Sequence, residues 1–209
     1  MDVFVITFVR LLFFFTKNLI GCFNTPYLTY RKLLGEKSGI YQTGFIFILV
    51  ISYFIFASAL RVGVHSPLLL TLRLNLLLFS AAIGFIAMLF VIFMLGKTIG
   101  SSGRFIDVYK LWSFTLIPTI VWFFTTSLLY IIIPPPRTLS FLGKLFSVVF
   151  IAFSVSVFLW KAILYYLTLR FALRLDLAKI GFMTVVILPL LVVYSVLMYK
   201  LGIFRVPFI

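Results

Sequence analysis

Two short segments of the sequence carry the same pattern of acidic and basic residues. In each segment an aspartate is followed three residues later by a lysine, and arginine lies just upstream. The charged residues of the two segments are Lys97, Arg104, Asp107, Lys110, Arg170, Arg174, Asp176 and Lys179. Clustered Lys and Arg attract anionic lipid headgroups. We therefore take this set as the candidate lipid- or partner-binding site.

A structural interpretation of the same pattern stays open. An aspartate in the first turn of a helix complements the helix dipole, and a lysine three residues later lies on the same face and pairs with it. A proline follows each pattern inside the next apolar run, at Pro118 and Pro189. The two halves therefore resemble a weak repeat, and prolines are common in membrane helices.

The usual signatures of catalytic, metal and cofactor sites are missing from the sequence. The chain has one cysteine, Cys22, and one histidine, His65, and no two of its four acids share an apolar run. It carries no HExxH, no GxSxG and no glycine-rich phosphate loop with its lysine. We predict a protein that is not an enzyme and that binds no cofactor or metal.

The composition predicts a membrane protein. Of the 209 residues, 64% are apolar and 11% are charged, against about 45–50% and about 25% in soluble domains. The net charge of +14 does not indicate nucleic acid, because the basic residues lie in short clusters between apolar runs. The predicted fold class is all-α, a polytopic transmembrane helical bundle.

Five apolar runs are long enough to cross a bilayer, which takes about 20 residues. The runs are residues 41–60, 74–95, 111–133, 145–166 and 180–200. Glycines, serines and prolines separate them, notably in 61–73, 100–103 and 134–136. We predict a five-span domain over residues 40–209, preceded by an N-terminal region, 1–39.

A sixth apolar run, residues 3–20, contains Arg10 and Lys17. On a helix these two residues lie on one polar stripe, which is typical of a helix in the membrane interface. A mid-bilayer arginine costs about 2.5–3.5 kcal/mol on insertion scales. We favour an interfacial helix over a sixth span.

The distribution of basic residues predicts the orientation. With five spans, twelve Lys and Arg fall on one side and six on the other. The richer side is expected to be cytoplasmic, with the N-terminus inside and the C-terminus outside. We expect segments 97–110, 170–179 and 31–37 to meet there in one basic surface. Asp107 and Asp176 would be held by Lys110 and Lys179, or by a base of the other loop.

Polar and small residues within the runs give further expectations. Gln42, Thr43 and Asn75 stand at the starts of runs, where we expect water to reach them. Small residues spaced four apart, Ser80 with Gly84 and Ala152 with Ser156, favour close helix contact within the bundle or dimerisation.

The sequence resembles the Yip domain family, five-span proteins named for interacting with Ypt/Rab GTPases and also widespread in bacteria. The resemblance is carried by 95–105 (LGKTIGSSGRF) leading to Pro118, and by the entry segment 24–33 (NTPYLTYRKL). Trp160, Leu164 and the basic loop before the proline-bearing last span also fit. The resemblance implies a five-span fold of the bacterial, domain-only type, located in the inner membrane.

Two functional hypotheses follow. The first is a non-enzymatic protein that organises the bilayer or partner proteins through its basic cytoplasmic face. Its partners would be membrane lipids with anionic headgroups, and a membrane protein or a second copy of the chain. The alternative is a small transporter or channel subunit with proline-kinked spans three and five. That alternative expects four hydroxyls to converge on one cavity: Thr115, Thr119, Thr184 and Ser195.

Overall fold

The computed structural model describes residues 2–36, 38–62, 67–132 and 141–203, and every regular element within them is an α-helix. The helices are α1 Asp2–Asn24, α2 Pro26–Gly35, α3 Gly39–Val62, α4 Pro67–Thr98, α5 Phe105–Phe114, α6 Leu116–Ile132, α7 Phe141–Ala172 and α8 Leu177–Lys200. The predicted all-α helical membrane fold is confirmed.

Six segments in the described part of the chain are long and apolar enough to cross a membrane. They are Val5–Asn24, Gly39–Ala59, Leu74–Thr98, Phe105–Leu129, Gly143–Ala172 and Leu177–Lys200. Five of them correspond to the predicted spans. The sixth, Val5–Asn24, is the run that we expected in the interface, and length and composition do not decide between the two placements.

The connection between the first two predicted spans is shorter than the sequence suggested. α3 continues to Val62, and α4 begins at Pro67, so helix replaces most of the loop predicted over 61–73. Proline is well suited to the first position of a helix, where its missing N–H has no intrahelical partner anyway. His65 and the prolines of 134–136 lie outside the described residues.

The third predicted span is interrupted at Thr115, between α5 and α6. Thr115 turns back on the preceding helix, since its N–H and its hydroxyl both donate to the Trp112 carbonyl, at 3.0 and 2.7 Å. Pro118 then lies in the first turn of α6, where no intrahelical N–H is needed. The Thr119 hydroxyl is buried without a hydrogen-bond partner among the described residues.

The chain forms two compact units. The first contains Met1–Tyr53 and Trp112–Leu167, and the second contains Phe54–Leu111 and Thr168–Ile209.

In the first unit, a tryptophan closes the corner between α1 and α2. Pro26 has no N–H, so it cannot donate to the carbonyl four residues earlier, that of Cys22. Trp160 of α7 supplies the donor instead, with its indole Nε1 2.9 Å from the Cys22 oxygen. Its ring also packs edge-on against Phe23, with the ring centres 5.4 Å apart.

A buried polar cluster in the same unit joins α1 to the start of α3. The Asn18 amide donates to the Gln42 side-chain oxygen at 2.8 Å and to Glu36 Oε2 at 3.1 Å. The Gln42 amide donates to the same Glu36 oxygen at 3.0 Å. The expectation of water-exposed Gln42 and Thr43 is therefore wrong, because both side chains are buried within the protein.

In the second unit, α4 packs against α8 through the predicted pair of small residues. The Tyr194 hydroxyl of α8 donates to the Ser80 carbonyl at 2.7 Å, and its ring lies against Gly84, where a Cβ would collide with it. This close contact is confirmed. The other pair, Ala152 and Ser156, is exposed on α7.

Candidate functional site

The two charged loops of the second unit are bound to each other. The Ser101 hydroxyl donates to the backbone carbonyl of Leu173 at 2.6 Å, and it accepts a hydrogen bond from the Gly103 N–H at 3.0 Å. We call this contact, formed by 96–103 with Ala172 and Leu173, the loop junction. The prediction that segments 97–110 and 170–179 meet is confirmed.

Three glycines allow this close approach. A Cβ on Gly103 would collide with the Ala172 carbonyl oxygen and would lie 2.8 Å from the Leu173 Cα. A Cβ on Gly96 would lie 2.9 Å from the Leu173 side chain. Gly100 has a φ of +88°, in the left-handed region that glycine adopts at little cost. Gly103 is therefore required by packing against backbone atoms, and Gly100 by its backbone geometry.

The segment after α7 turns sharply to bring its leucines inward. Leu173 and Leu175 are both buried, while Arg174 between them is exposed. Arg174 has a φ of 57°, a conformation that costs a non-glycine residue about 1–2 kcal/mol. The burial of the two flanking leucines offsets that strain and holds the arginine outward.

The hydroxyl of Ser101 gives a direct test of the junction. Ser101→Ala is expected to lower the free energy of unfolding by about 1–3 kcal/mol, because it leaves the Leu173 carbonyl and the Gly103 N–H without their partner. Ser102, its exposed neighbour, is the matched control, and Ser102→Ala should stay within about 0.5 kcal/mol. Thermal unfolding in mild detergent measures both, and equal effects would contradict the assigned role of Ser101.

Asp107 is the buried acid of the site. Its carboxylate contacts the Arg104 guanidinium at 2.9 Å and the Lys110 ammonium at 3.8 Å. The predicted pairing with Lys110 is confirmed, and Arg104 is a second partner. The hydrogen bond and the negative charge of Asp107 raise the pKa of Arg104. The Arg104 side chain is 72% exposed and that of Lys110 is 7% exposed, so only the arginine faces outward.

Asp176 is arranged differently. It precedes α8 with an extended backbone and makes no side-chain capping bond, and its 82% exposed side chain contacts Arg170 at 3.4 Å. The predicted pairing with Lys179 is wrong. The two Asp-x-x-Lys segments are therefore not structurally equivalent.

Both loops carry exposed basic residues. Lys110 is buried, and the exposed cations are Lys97, Arg104, Arg170, Arg174 and Lys179. We call these five the loop surface. Lys97 donates to the Ser101 carbonyl at 3.4 Å, and a Cβ on Gly100 would lie 3.8 Å from the Lys179 ammonium. The third predicted segment, 31–37, belongs to the first unit, so its place beside these loops stays a prediction.

The described residues contain no group of three or more His, Cys, Asp or Glu side chains that could hold a metal ion.

A family model of the Yip1 domain matches residues 20–199. The chain belongs to the Yip1-domain family. The resemblance to the Yip domain family is thus confirmed, and the whole loop junction lies inside the Yip1-domain match. Neither a curated protein nor a solved structure matches the chain.

The sequence did not reveal which residues of this Yip1 domain join the loops. Ser101, Gly103 and Leu173 were not among the predicted site residues. The sequence feature that could have indicated this contact is the pair of serines between Gly100 and Gly103, directly after an apolar run. Glycine at such positions permits close backbone contact.

Proposed function

We propose that this Yip1-domain protein is a non-enzymatic membrane protein that binds anionic headgroups through the loop surface and so organises the bilayer or its partner proteins. The observation that carries the proposal is the loop junction. It joins two loops distant in sequence through the Ser101–Leu173 hydrogen bond, and both loops carry exposed cations.

The two acids do not cancel the positive charge of the loop surface. Asp107 is buried and contacts both Arg104 and Lys110. Asp176 is exposed and pairs with Arg170, which leaves Lys97, Arg174 and Lys179 exposed. Each cation near an anionic membrane contributes about 1 kcal/mol of attraction, which falls as salt is added.

The orientation is part of the proposal. The excess of Lys and Arg, twelve against six, supports the proposal that both loops lie on the cytoplasmic side of an inner membrane, where anionic headgroups attract basic segments.

The test compares two double variants that each remove two positive charges. Arg174→Gln with Lys179→Gln alters the loop surface, and Lys144→Gln with Lys200→Gln alters exposed lysines at the far ends of α7 and α8. Removing two loop cations is expected to weaken retention of anionic lipid by purified protein roughly 30-fold at low salt, at about 1 kcal/mol per cation. The control should retain lipid like the unaltered chain, and equal retention by both variants would overturn the proposal.

The transporter alternative gains no support from the described residues. The Thr115 hydroxyl donates to the Trp112 carbonyl, and the Thr184 hydroxyl donates to the Ile180 carbonyl, so both bond within their own stretch of chain. A surface hollow on α4 is lined by apolar residues and Asn75 of that one helix, which is not the polar path that a transported solute requires.

A further inference from the structure

We propose that α1 lies flat in the membrane interface, across the spans of the first unit, and that Arg10 and Lys17, together with Lys32 of α2, bind anionic lipid headgroups. The residues of this surface are all different from those of the loop surface.

The first step is the relative depth of three aromatic residues on the spans. Phe15 of α1 packs on both Phe45 of α3 and Phe114 of α5, with ring centres 5.3 and 6.5 Å apart, so these two lie at one depth. On α7, Tyr165 contacts Trp112 and Ser154 contacts Trp122.

These paired contacts show that α7 runs antiparallel to α5 and α6. Residue 160 therefore lies opposite residue 117, about 4.5 Å from the depth of residue 114 at about 1.5 Å per residue. Phe45, Phe114 and Trp160 form one layer of the unit.

The second step is the set of contacts that α1 makes along its length. Phe8 contacts Phe45 at 5.7 Å, and Phe15 contacts the same ring. Further along α1, Asn18 bonds to Gln42, and the Cys22 carbonyl bonds to Trp160.

From residue 8 to residue 22 the helix advances about 21 Å, at about 1.5 Å per residue. Over that length its partners on the spans, Phe45, Gln42 and Trp160, stay within about 5 Å of the layer defined above. Residue 42 is only three residues, or about 4.5 Å, from residue 45. A helix running alongside α3 would shift its partners by the whole 21 Å or so. The contacts therefore fit a helix that crosses the spans.

The third step is the distribution of side chains around α1. One face is buried and includes Phe15, Asn18 and Cys22. A second face is apolar and exposed, with Val5, Val9, Leu12, Phe13, Ile20 and Phe23. A third face carries the exposed residues Arg10, Lys17 and Asn24, spaced seven apart. Separate protein-facing, acyl-facing and headgroup-facing sides are what a flat interfacial helix needs.

Arg10 of the third face and Lys32 of α2 lie over the same aromatic ring, that of Phe14. The Arg10 guanidinium lies 5.7 Å from the centre of the Phe14 ring, and the Lys32 ammonium lies 5.9 Å from it. Lys32 also contacts Glu36 at 3.2 Å, with its side chain 46% exposed. Guanidinium and ammonium groups form strong charge-assisted hydrogen bonds to phosphate, so lipid headgroup phosphate is the ligand that this cluster fits.

The Yip1-domain match begins at residue 20. Most of α1 therefore precedes the matched domain, which fits an added surface helix.

The orientation is tested by labelling with a membrane-impermeant maleimide in intact and permeabilised cells. Three variants are compared, and each carries Cys22→Ser so that it has a single cysteine. The new cysteine is in an N-terminal tag in the first, at Ser102→Cys in the second and at Lys200→Cys in the third. A flat α1 places the tag on the same side as Ser102→Cys. Labelling of the tag from the side of Lys200→Cys would show that α1 spans the membrane and would overturn the proposal.

Lipid binding is tested with Arg10→Gln and Lys17→Gln together, against Arg10→Lys with Lys17→Arg, which keeps both charges. The Gln variant is expected to retain anionic lipid about 5-fold less per cation removed, and the charge-preserving variant should retain it normally. The same loss should appear in a chain that already carries Arg174→Gln and Lys179→Gln. Lipid binding by α1 can therefore be judged even if the loop surface proves not to bind lipid. Equal retention by the two α1 variants would overturn headgroup binding.

Discussion

Asp107→Ala is expected to lower the free energy of unfolding by about 3–5 kcal/mol, since it leaves the buried Lys110 ammonium without its carboxylate. Both side chains are buried, that of Asp107 at 5% and that of Lys110 at 7% exposure, so water does not replace the lost partner. Thermal unfolding in mild detergent should show the loss as a large fall in Tm.

Two further variants identify the cause. Asp176→Ala removes the acid of an exposed pair and should cost less than about 1 kcal/mol. Adding Lys110→Met to Asp107→Ala removes the buried charge and should recover most of the stability. Similar losses for Asp107→Ala and Asp176→Ala would contradict the difference in burial that we describe.

Gly103→Ala is expected to lower the free energy of unfolding by a similar amount, about 2.5–6 kcal/mol. The added Cβ meets the backbone of Ala172 and Leu173, which, unlike a flexible side chain, cannot turn away. The junction must open, and opening it adds a packing cost of about 1–3 kcal/mol to the lost burial of Leu173, about 1.5–3 kcal/mol.

Gly181 provides the matched control for this substitution. It lies on α8 in the same unit, and a Cβ added there meets nothing within 4 Å. Gly181→Ala should therefore leave Tm unchanged or raise it, because alanine is the better helix former. Equal melting temperatures for the two alanine variants would show that Gly103 is not packed against α7.

The meeting of the two loops could be predicted from the sequence, whereas the pairing of Asp176 could not. A pairing three residues along a helix requires Asp176 to be helical, and instead it has φ −79° and ψ 161° before α8 begins. The left-handed turn at Arg174 brings the chain back beside the end of α7, so Arg170 is within reach. The residue type does not predict this turn, because the left-handed conformation is usually adopted by glycine and not by arginine.

The burial of Gln42 also could not be predicted from its neighbours in the sequence. Its position at the start of an apolar run indicates contact with water, and that is correct for an isolated span. In the folded unit, α1 brings Asn18 to it across 24 positions of sequence. Long-range packing thus decided the environment of this side chain, while the apolar runs themselves were sufficient to predict the spans.

The bond between Trp160 and the Cys22 carbonyl has a consequence for biosynthesis. Donor and acceptor are 138 positions apart, so the α1–α2 corner emerges from the ribosome long before its donor exists. At about 5–20 residues per second, the delay is on the order of ten seconds. Throughout that interval the Cys22 oxygen must be hydrated or held by the insertion machinery, since Pro26 cannot serve it. The corner therefore takes its final form late in synthesis, after α7 has been translated.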